Sequence, residues 1–319
     1  MLQQPTNRLV WDLDWNLLKT FMVVVEERSI TRAADRLGLK QPSVSNALRR
    51  LEDRVGRKLI ERGPTHFQVS GAGTLLYEEC VEIFGTIARI PTLVRDVTEE
   101  IAGKVTIAVA SHVVSPVFDE VLAEFHQAHP RSTFTISVST SVEVAKKVRE
   151  KHASFGLCLV GREDPKLDYK VIYREFFGFF CGPRHRLFGR RNLGLSDLRG
   201  ETSVSFQTDH PSDALRTVAL LRARAQLDEN VVGISSSLEE VRRMIVAGLG
   251  IGPLPLHVAR RDVADGLLWR LPPYKDAPPV DIYLVSNRQT PLNRAETEFL
   301  RLLNARIDGT PFSSRVYSE

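Results

Sequence analysis

Asn46, Arg49 and Arg50 are the side chains whose type and spacing first suggest chemistry. In QPSVSNALRRLEDRV, residues 41–55, the apolar residues Val44, Leu48, Leu51 and Val55 recur as one helical stripe. At about 100° per residue, the opposite face carries Pro42, Asn46, Arg49, Arg50 and Asp53. Asn amides and Arg guanidiniums make paired hydrogen bonds to base edges in a major groove, and Arg also grips phosphate. The chemistry indicated is hydrogen bonding and charge pairing with a nucleic acid, not bond making. Gln41, Pro42, Ser43, Ser45, Asn46, Arg49, Arg50, Lys58 and Arg62 are the candidate DNA-contacting residues. An ordinary helical hairpin with a solvated basic face is the competing reading.

Such a helix needs elements that present it. In SITRAADRLGLK, residues 29–40, Ile30, Ala33, Ala34 and Leu37 form one apolar face. Ser29 suits the N-cap and Gly38 the left-handed turn that closes a helix. Gln41-Pro42 opens the next helix, where the missing proline N–H costs nothing. Trp15 to Glu27 reads as a supporting core helix. Downstream, Lys58–Arg62 and Thr65–Val69 are short strand-like runs around Gly63-Pro64, the pattern of a wing. Arg57, Lys58, Arg62 and His66 are then placed to meet phosphates, or merely to be solvated.

Charge distribution supports a polyanionic partner. The chain has 319 residues and net charge +4. Residues 1–70 hold 12 Lys+Arg against 8 Asp+Glu, so the whole excess lies in the segment with the two short helices. At 43% hydrophobic and 26% charged, the composition is that of a globular protein rather than a disordered one. No run of about 18 apolar residues is present, so no membrane span is expected. Nor does the N-terminus follow a signal-peptide pattern. Three cysteines, Cys80, Cys158 and Cys181, make neither a disulfide framework nor a metal cluster. A cytoplasmic location is expected.

From Ala72 to about Ile101 a long helix is expected. Leu76, Cys80, Ile83, Ile87, Ile90, Val94, Val97 and Ile101 follow a heptad seam, which implies a second chain. Packing on the same chain's body is the alternative. Pro91 should kink or interrupt this helix. From Gly103, strand and helix patterns alternate, implying a parallel sheet with helices on both faces. The strands are Val105–Ala110, Thr133–Val138 and Leu157–Val160. A second unit follows from about Val171, with strands near Phe176–Cys181, Thr202–Phe206, Val231–Ile234 and Gly250–Pro253. A proline-rich LPPYKDAPP precedes strand Val280–Val285 and a last helix, Leu292–Ile307.

In this order the chain resembles the LysR-type transcriptional regulators over about residues 15–305. The runs LLKTFMVVVEERSITRAADRLGLKQPSVSNALRRLEDRVGRKLIER and VSGAGTLL are similar to the family's AA-x-x-L, Q-P-x-V-S, L-x-x-L-E and L-x-E-R pattern. SLEEVRRMIVAGLGIGPLP is similar to the family's V-x-x-G-x-G-I-x-x-L-P segment. The resemblance implies an α/β protein overall. Residues 1–71 would be an all-α winged helix-turn-helix and 72–102 a dimerisation helix. Residues 103–319 would form a two-lobed effector domain of periplasmic-binding-protein type. Lobe one would be about 103–171 plus 276–307, and lobe two about 172–275. It further implies a homotetramer on an interrupted dyad of double-stranded DNA, with RNA polymerase as a possible further partner. Three departures stand out. Lys40 replaces the usual Ser or Thr cap, Pro91 lies in the linker, and Gly156 stands where an Asp commonly precedes the third strand.

Ligands in such sheets bind beyond strand carboxyl ends, at helix N-termini. Ser111, His112, Thr140, Ser141, Phe206, Gln207 and Ser236 are the effector candidates, facing a small organic anion. Plain N-capping competes for Ser141, and an exposed loop position competes for His112. Other chemistry is not indicated. Ser111-His112 has no triad context, and His126 with His129 lacks further zinc ligands. No phosphate loop is present, and Gly248–Gly252 is too short for a dinucleotide fingerprint. No cofactor or metal is expected, and no catalysis. Three alternatives remain: an architectural DNA-binding protein without effector, a cysteine-based redox-sensing regulator, and an enzyme fused to a DNA-binding module.

Overall fold

The computed structural model describes residues 13–63, 66–95, 101–209 and 213–317. Contacts divide the chain into two compact units, Met1–Ile90 and Pro91–Glu319.

In the first unit, helix α1 (Trp15–Glu27) starts where the Asp14 carboxylate accepts from Asn16 N–H at 3.0 Å. Helix α2 (Ile30–Leu37) starts at Ser29, whose hydroxyl accepts from Arg32 N–H at 3.3 Å. It ends at Gly38 with φ +65°, a left-handed conformation that glycine adopts without a Cβ penalty. Helix α3 (Gln41–Val55) starts at Lys40, which makes no side-chain cap. Strands β1 (Ile60–Gly63) and β2 (His66–Val69) form an antiparallel hairpin with Ile60 opposite Val69. Leu17, Leu18, Phe21, Val24, Ala33, Ala34, Val44, Leu48, Leu51 and Leu59 make one buried core. Each helix therefore contributes its apolar stripe to a common centre.

Helix α4 (Gly71–Arg95) runs on through Pro91, so the expected interruption does not occur. A proline there forgoes one hydrogen bond to the preceding turn, and the neighbouring turns carry the helix across. The heptad seam is not continuous. Cys80 is fully buried in the first unit's own core, beside Leu76, Tyr77 and Phe84. Ile87 and Ile90 are 40% and 49% exposed. Ile101 lies outside the helix and packs on the core of the body. Val97 falls outside the described residues, as does the side chain of Val94.

The body has an eight-stranded sheet. Strands β3 (Gly103–Ala110), β4 (Ser132–Ser139) and β5 (Phe155–Cys158) are parallel, with β3 central. Helices α5 (Pro116–Ala128) and α6 (Ser141–Arg149) connect them. Strand β6 (Asp168–Cys181) is 14 residues long and serves two sheet regions. Its first part, to Phe176, pairs with β11 (Pro279–Ser286), which in turn pairs antiparallel with β5. Its last part pairs with β9 (Gly252–Pro255) and β10 (Trp269–Leu271). The sheet is thus mixed rather than all parallel, because both crossover strands run against β5 or against each other. A separate parallel pair, β7 (Ser203–Phe206) and β8 (Val231–Ser235), lies near helices α7 (Arg216–Arg224) and α8 (Leu238–Val246). Helix α9 (Leu256–Ala264) follows β9 directly. Helix α10 (Arg294–Gly309) packs back on α5 and β3, and a short β12 (Val316–Tyr317) pairs with β6.

Gly156 has a steric reason. A Cβ there would lie 2.5 Å from Val144 Cγ1 and 3.1 Å from Val148 Cγ2, so α6 sits where an Asp side chain would begin.

Candidate nucleic-acid interface and effector cleft

Helix α3 presents the face anticipated for DNA. Val44, Leu48 and Leu51 are buried, while Gln41, Pro42, Ser43, Asn46, Arg49 and Arg50 are exposed and Ser45 is half-buried. Arg49 has no acidic partner among the described residues, whereas Arg50 lies 3.8 Å from the Asp14 carboxylate. Arg50 thus shares its charge with the cap of α1. The contrast favours Arg49 as the freer guanidinium on this face.

A residue the sequence reading left aside fixes the wing. Glu52 is buried on α3, and its carboxylate accepts from Lys58 Nζ at 2.7 Å. The same carboxylate accepts from the N–H groups of Leu59 at 3.0 Å and Ile60 at 3.4 Å. Burial alone would raise its pKa. Lys58 and the two backbone donors outweigh burial and hold it below the usual range. Lys58, 73% exposed, therefore belongs first to the α3–β1 joint. The side chains of Arg62 and His66 lie outside the described set. At the foot of the wing, a Cβ on Gly73 would meet Leu59 O at 2.1 Å, so α4 approaches the residue before β1 at a distance only glycine permits.

The effector candidates separate into two groups. Ser111, His112, Phe206 and Ser236 come together. The Ser111 hydroxyl donates to Ser236 O at 2.8 Å and accepts from Leu238 N–H at 3.1 Å. A loop after β3 thereby caps α8, which has no cap from its own Ser237. His112 meets the Phe206 ring edge-on, centroids 6.4 Å apart. It is buried, and desolvation pushes its pKa down to about 4, so it offers a neutral ring rather than a cation to an anion. Gln207 is exposed, and its N–H donates to Ser235 O at 3.0 Å. The second group, Thr140 and Ser141, starts α6. The Thr140 hydroxyl accepts from Glu143 N–H at 3.3 Å, and the Glu143 carboxylate accepts from Thr140 N–H at 3.2 Å, a reciprocal capping box. The Ser141 hydroxyl accepts from Leu159 N–H at 3.3 Å.

A cavity of ≈490 Å³ lies beside the second group. Ser141, Lys146, Arg149, Arg162, Tyr169 and Asp213 are among its walls, so it is closed by segments from both sides of the crossover. Ser141 alone of the seven candidates lines it. Three cations against Asp164 and Asp213 leave the lining net positive. Sequence patterning missed Arg149, Arg162 and Tyr169, because they sit on a helix flank, a loop and the start of β6, which only the tertiary fold brings to one space. A Cβ on Gly161 would lie 2.9 Å from Ala214 N.

The strand–helix joint between the sheet regions holds a second feature that was not anticipated. Glu175 on β6 is fully buried, and neither carboxylate oxygen has a hydrogen-bond partner. Desolvation pushes its pKa well up. His257 on α9 stands 3.9 Å away, its pKa lowered by burial, and its Nε2 is 3.3 Å from Val114 O. Deeper in the second region, Arg222 pairs with Asp209 at 2.9 Å and also donates to Ser203 and Ser205, which holds the turn after Phe206.

The three thiols are all buried. Desolvation raises Cys80 to about 11 and Cys158 and Cys181 to about 12. A buried protonated thiol is a poor nucleophile toward peroxide. No helix among the described residues is long and apolar enough to cross a membrane.

Comparison with known proteins accounts for both units. Residues 15–74 match the bacterial regulatory helix-turn-helix protein, lysR family, and residues 98–308 match the LysR substrate binding domain. The HTH-type transcriptional regulator CysL of Bacillus subtilis is 25% identical over 251 residues, 78% of this chain and 83% of that protein. A hydrogen peroxide-inducible genes activator of Dickeya chrysanthemi is 26% identical over 277 residues, 86% of this chain and 90% of that protein. Among solved structures, full-length CbnR complexed with its target DNA aligns with a TM-score of 0.61 at 19% identity, covering 92% of this chain and 100% of that one. With a polar helix face exposed in one unit, an α/β body in the other and both matched by family models, the chain belongs to the LysR family and is a DNA-binding transcriptional regulator with an effector-binding domain.

Proposed function

We propose that this regulator reads an interrupted dyad in double-stranded DNA through Gln41, Pro42, Ser43, Ser45, Asn46, Arg49 and Arg50, with Lys58 and Arg62 on phosphates. The observation that carries the reading is the exposed row of Asn46 and Arg49 directly opposite buried Val44, Leu48 and Leu51. A helix seated so firmly on one side leaves its other side free to enter a groove. Selection from random duplexes by the full chain is expected to return a two-fold site. Recovery of no preferred sequence would favour an architectural role instead.

Two copies, and by extension a tetramer, are part of the proposal. Leu75, Ile87 and Ile90 expose an apolar flank of α4, within the proposed 72–102 linker. The outer strands add to this. Ile136, Val138 and Val142 are exposed on and beside β4, and Val231, Val232 and Ile234 on β8. Unpaired strand edges with apolar side chains are surfaces that natural proteins cover. RNA polymerase is a further proposed partner, in a cytoplasmic setting.

The effector is proposed to be a small organic anion in the ≈490 Å³ cavity, a size ordinary for such ligands. Arg149 and Arg162 supply charge, Tyr169 an aromatic wall and Ser141 a hydroxyl. No catalytic step is assigned, since binding and release suffice to shift the two parts of the body. A thermal-shift screen of organic acids on the full chain tests this. A hit should raise Tm, and the gain should be lost in Arg162→Ala. A hit unaffected by that substitution would move the site toward Ser111 and Phe206.

A further inference from the structure

Two adjoining cavities, of ≈460 and ≈340 Å³, open on the β10 edge of the sheet and share Val263 and Arg270. Together they make a trough. Phe180 and Leu256 are buried beneath it, Trp269 and Tyr274 wall it, and Arg190, Arg191 and Arg260 stand exposed at its rim. No Asp or Glu lines either cavity. The carboxylates nearby in sequence are engaged elsewhere, Asp262 with Arg242 at 2.5 Å and Asp265 with Arg261 at 3.8 Å. Neither Arg190 nor Arg191 has an ion-pair partner among the described residues.

The rim is held in place. Gly189 and Asn192 adopt φ +75° and +58°, turning the loop so that Arg190 and Arg191 lie between them. Trp269 Nε1 donates to Arg190 O at 2.9 Å, and Arg270 Nη2 donates to Tyr274 O at 3.3 Å. The surrounding segment is basic as well, since residues 172–275 carry 15 Lys+Arg against 11 Asp+Glu. This segment is locally basic, although residues 71–319 taken together are balanced in charge.

We propose that this trough docks an acidic peptide segment of a partner protein. Guanidinium forks match carboxylates in paired hydrogen bonds. An apolar side chain of the same segment would cover Val263, which lines both cavities and is 37% exposed. Two cavities joined through Val263 and Arg270 give room for successive residues of an extended chain, and Arg190 and Arg191 at the rim suit carboxylates on that chain.

The test uses the full-length protein and a fluorescein-labelled peptide of alternating Glu and Leu, read by anisotropy. A Lys-Leu peptide and a non-operator duplex serve as comparisons. The Glu-Leu peptide should bind and the Lys-Leu peptide should not. The double change Arg190→Glu with Arg191→Glu should weaken peptide binding by roughly tenfold or more, the scale of losing one charge-assisted pair. Duplex binding and sedimentation should be unchanged in the same variant, which also shows that it folds. Arg260→Ala should weaken the peptide in the same direction. Failure of the native chain to bind the Glu-Leu peptide overturns the proposal, as does equal binding by the double variant. Loss of duplex binding would make the trough a DNA surface, and loss of oligomers would make it an interface between copies. Either result contradicts peptide docking.

Discussion

The hydroxyl of Ser111 and the carbonyl of Ser236 lie 2.8 Å apart, and the same hydroxyl accepts from Leu238 N–H. One side chain thus ties the loop after β3 to the start of α8 across the middle of the body, where the sequence pattern placed an anion. The helix end is already served by this hydroxyl and by Glu239 and Glu240 in its first turn. Ser111→Ala is expected to lower stability by about 1 kcal/mol, the worth of a helix cap. It should also speed amide exchange of Leu238. Unchanged Tm and unchanged exchange would show that the tie carries no energy.

Glu175 gives a pH dependence of definite sign. Its pKa is raised in the folded state, so the native form holds a proton that the unfolded form releases above about pH 4.3. Its contribution to stability is therefore full at low pH and declines as pH rises from there toward the raised value. Glu175→Gln should remove that decline, leaving Tm less dependent on pH above the ordinary glutamate value. Parallel Tm–pH curves for the two proteins would contradict the assignment. Glu52 acts in the opposite sense. Its lowered pKa means that the α3–β1 joint is fully stabilised above the ordinary glutamate range and weakens as pH falls through the depressed value.

The thiols bear on sensing. A relative that is 26% identical is a hydrogen peroxide-inducible genes activator. In this chain Cys80, Cys158 and Cys181 are buried and their pKa values are raised to about 11, about 12 and about 12. The native protein should react negligibly with a thiol-specific disulfide reagent at neutral pH, and all three thiols should react after denaturation. Fast native modification of Cys158 or Cys181 would restore the redox reading.

Local signals were the legible ones. Ser29 and Gly38 bound α2 because caps act within a few residues, and Val44, Leu48 and Leu51 identified the buried face of α3 by periodicity alone. Strand β6 was read too short because Asp168–Val171 is half-buried and shows no alternation. Helix α9 was missed because it follows Pro255 without a side-chain cap. The pairing of Lys58 with Glu52 was not legible, because nothing local announces that Glu52 reaches six residues forward to it. The ≈490 Å³ cavity was invisible for a related reason, since its walls meet only where Gly161 approaches Ala214.

Reading of base edges by α3 is the central claim, and operator affinity measures it most directly. Asn46→Ala and Arg49→Ala, both at exposed positions, should each weaken binding to the selected two-fold site by about 1–3 kcal/mol and relax sequence preference. Binding to random duplex should change far less. Native affinity and unchanged preference in both variants would contradict the account.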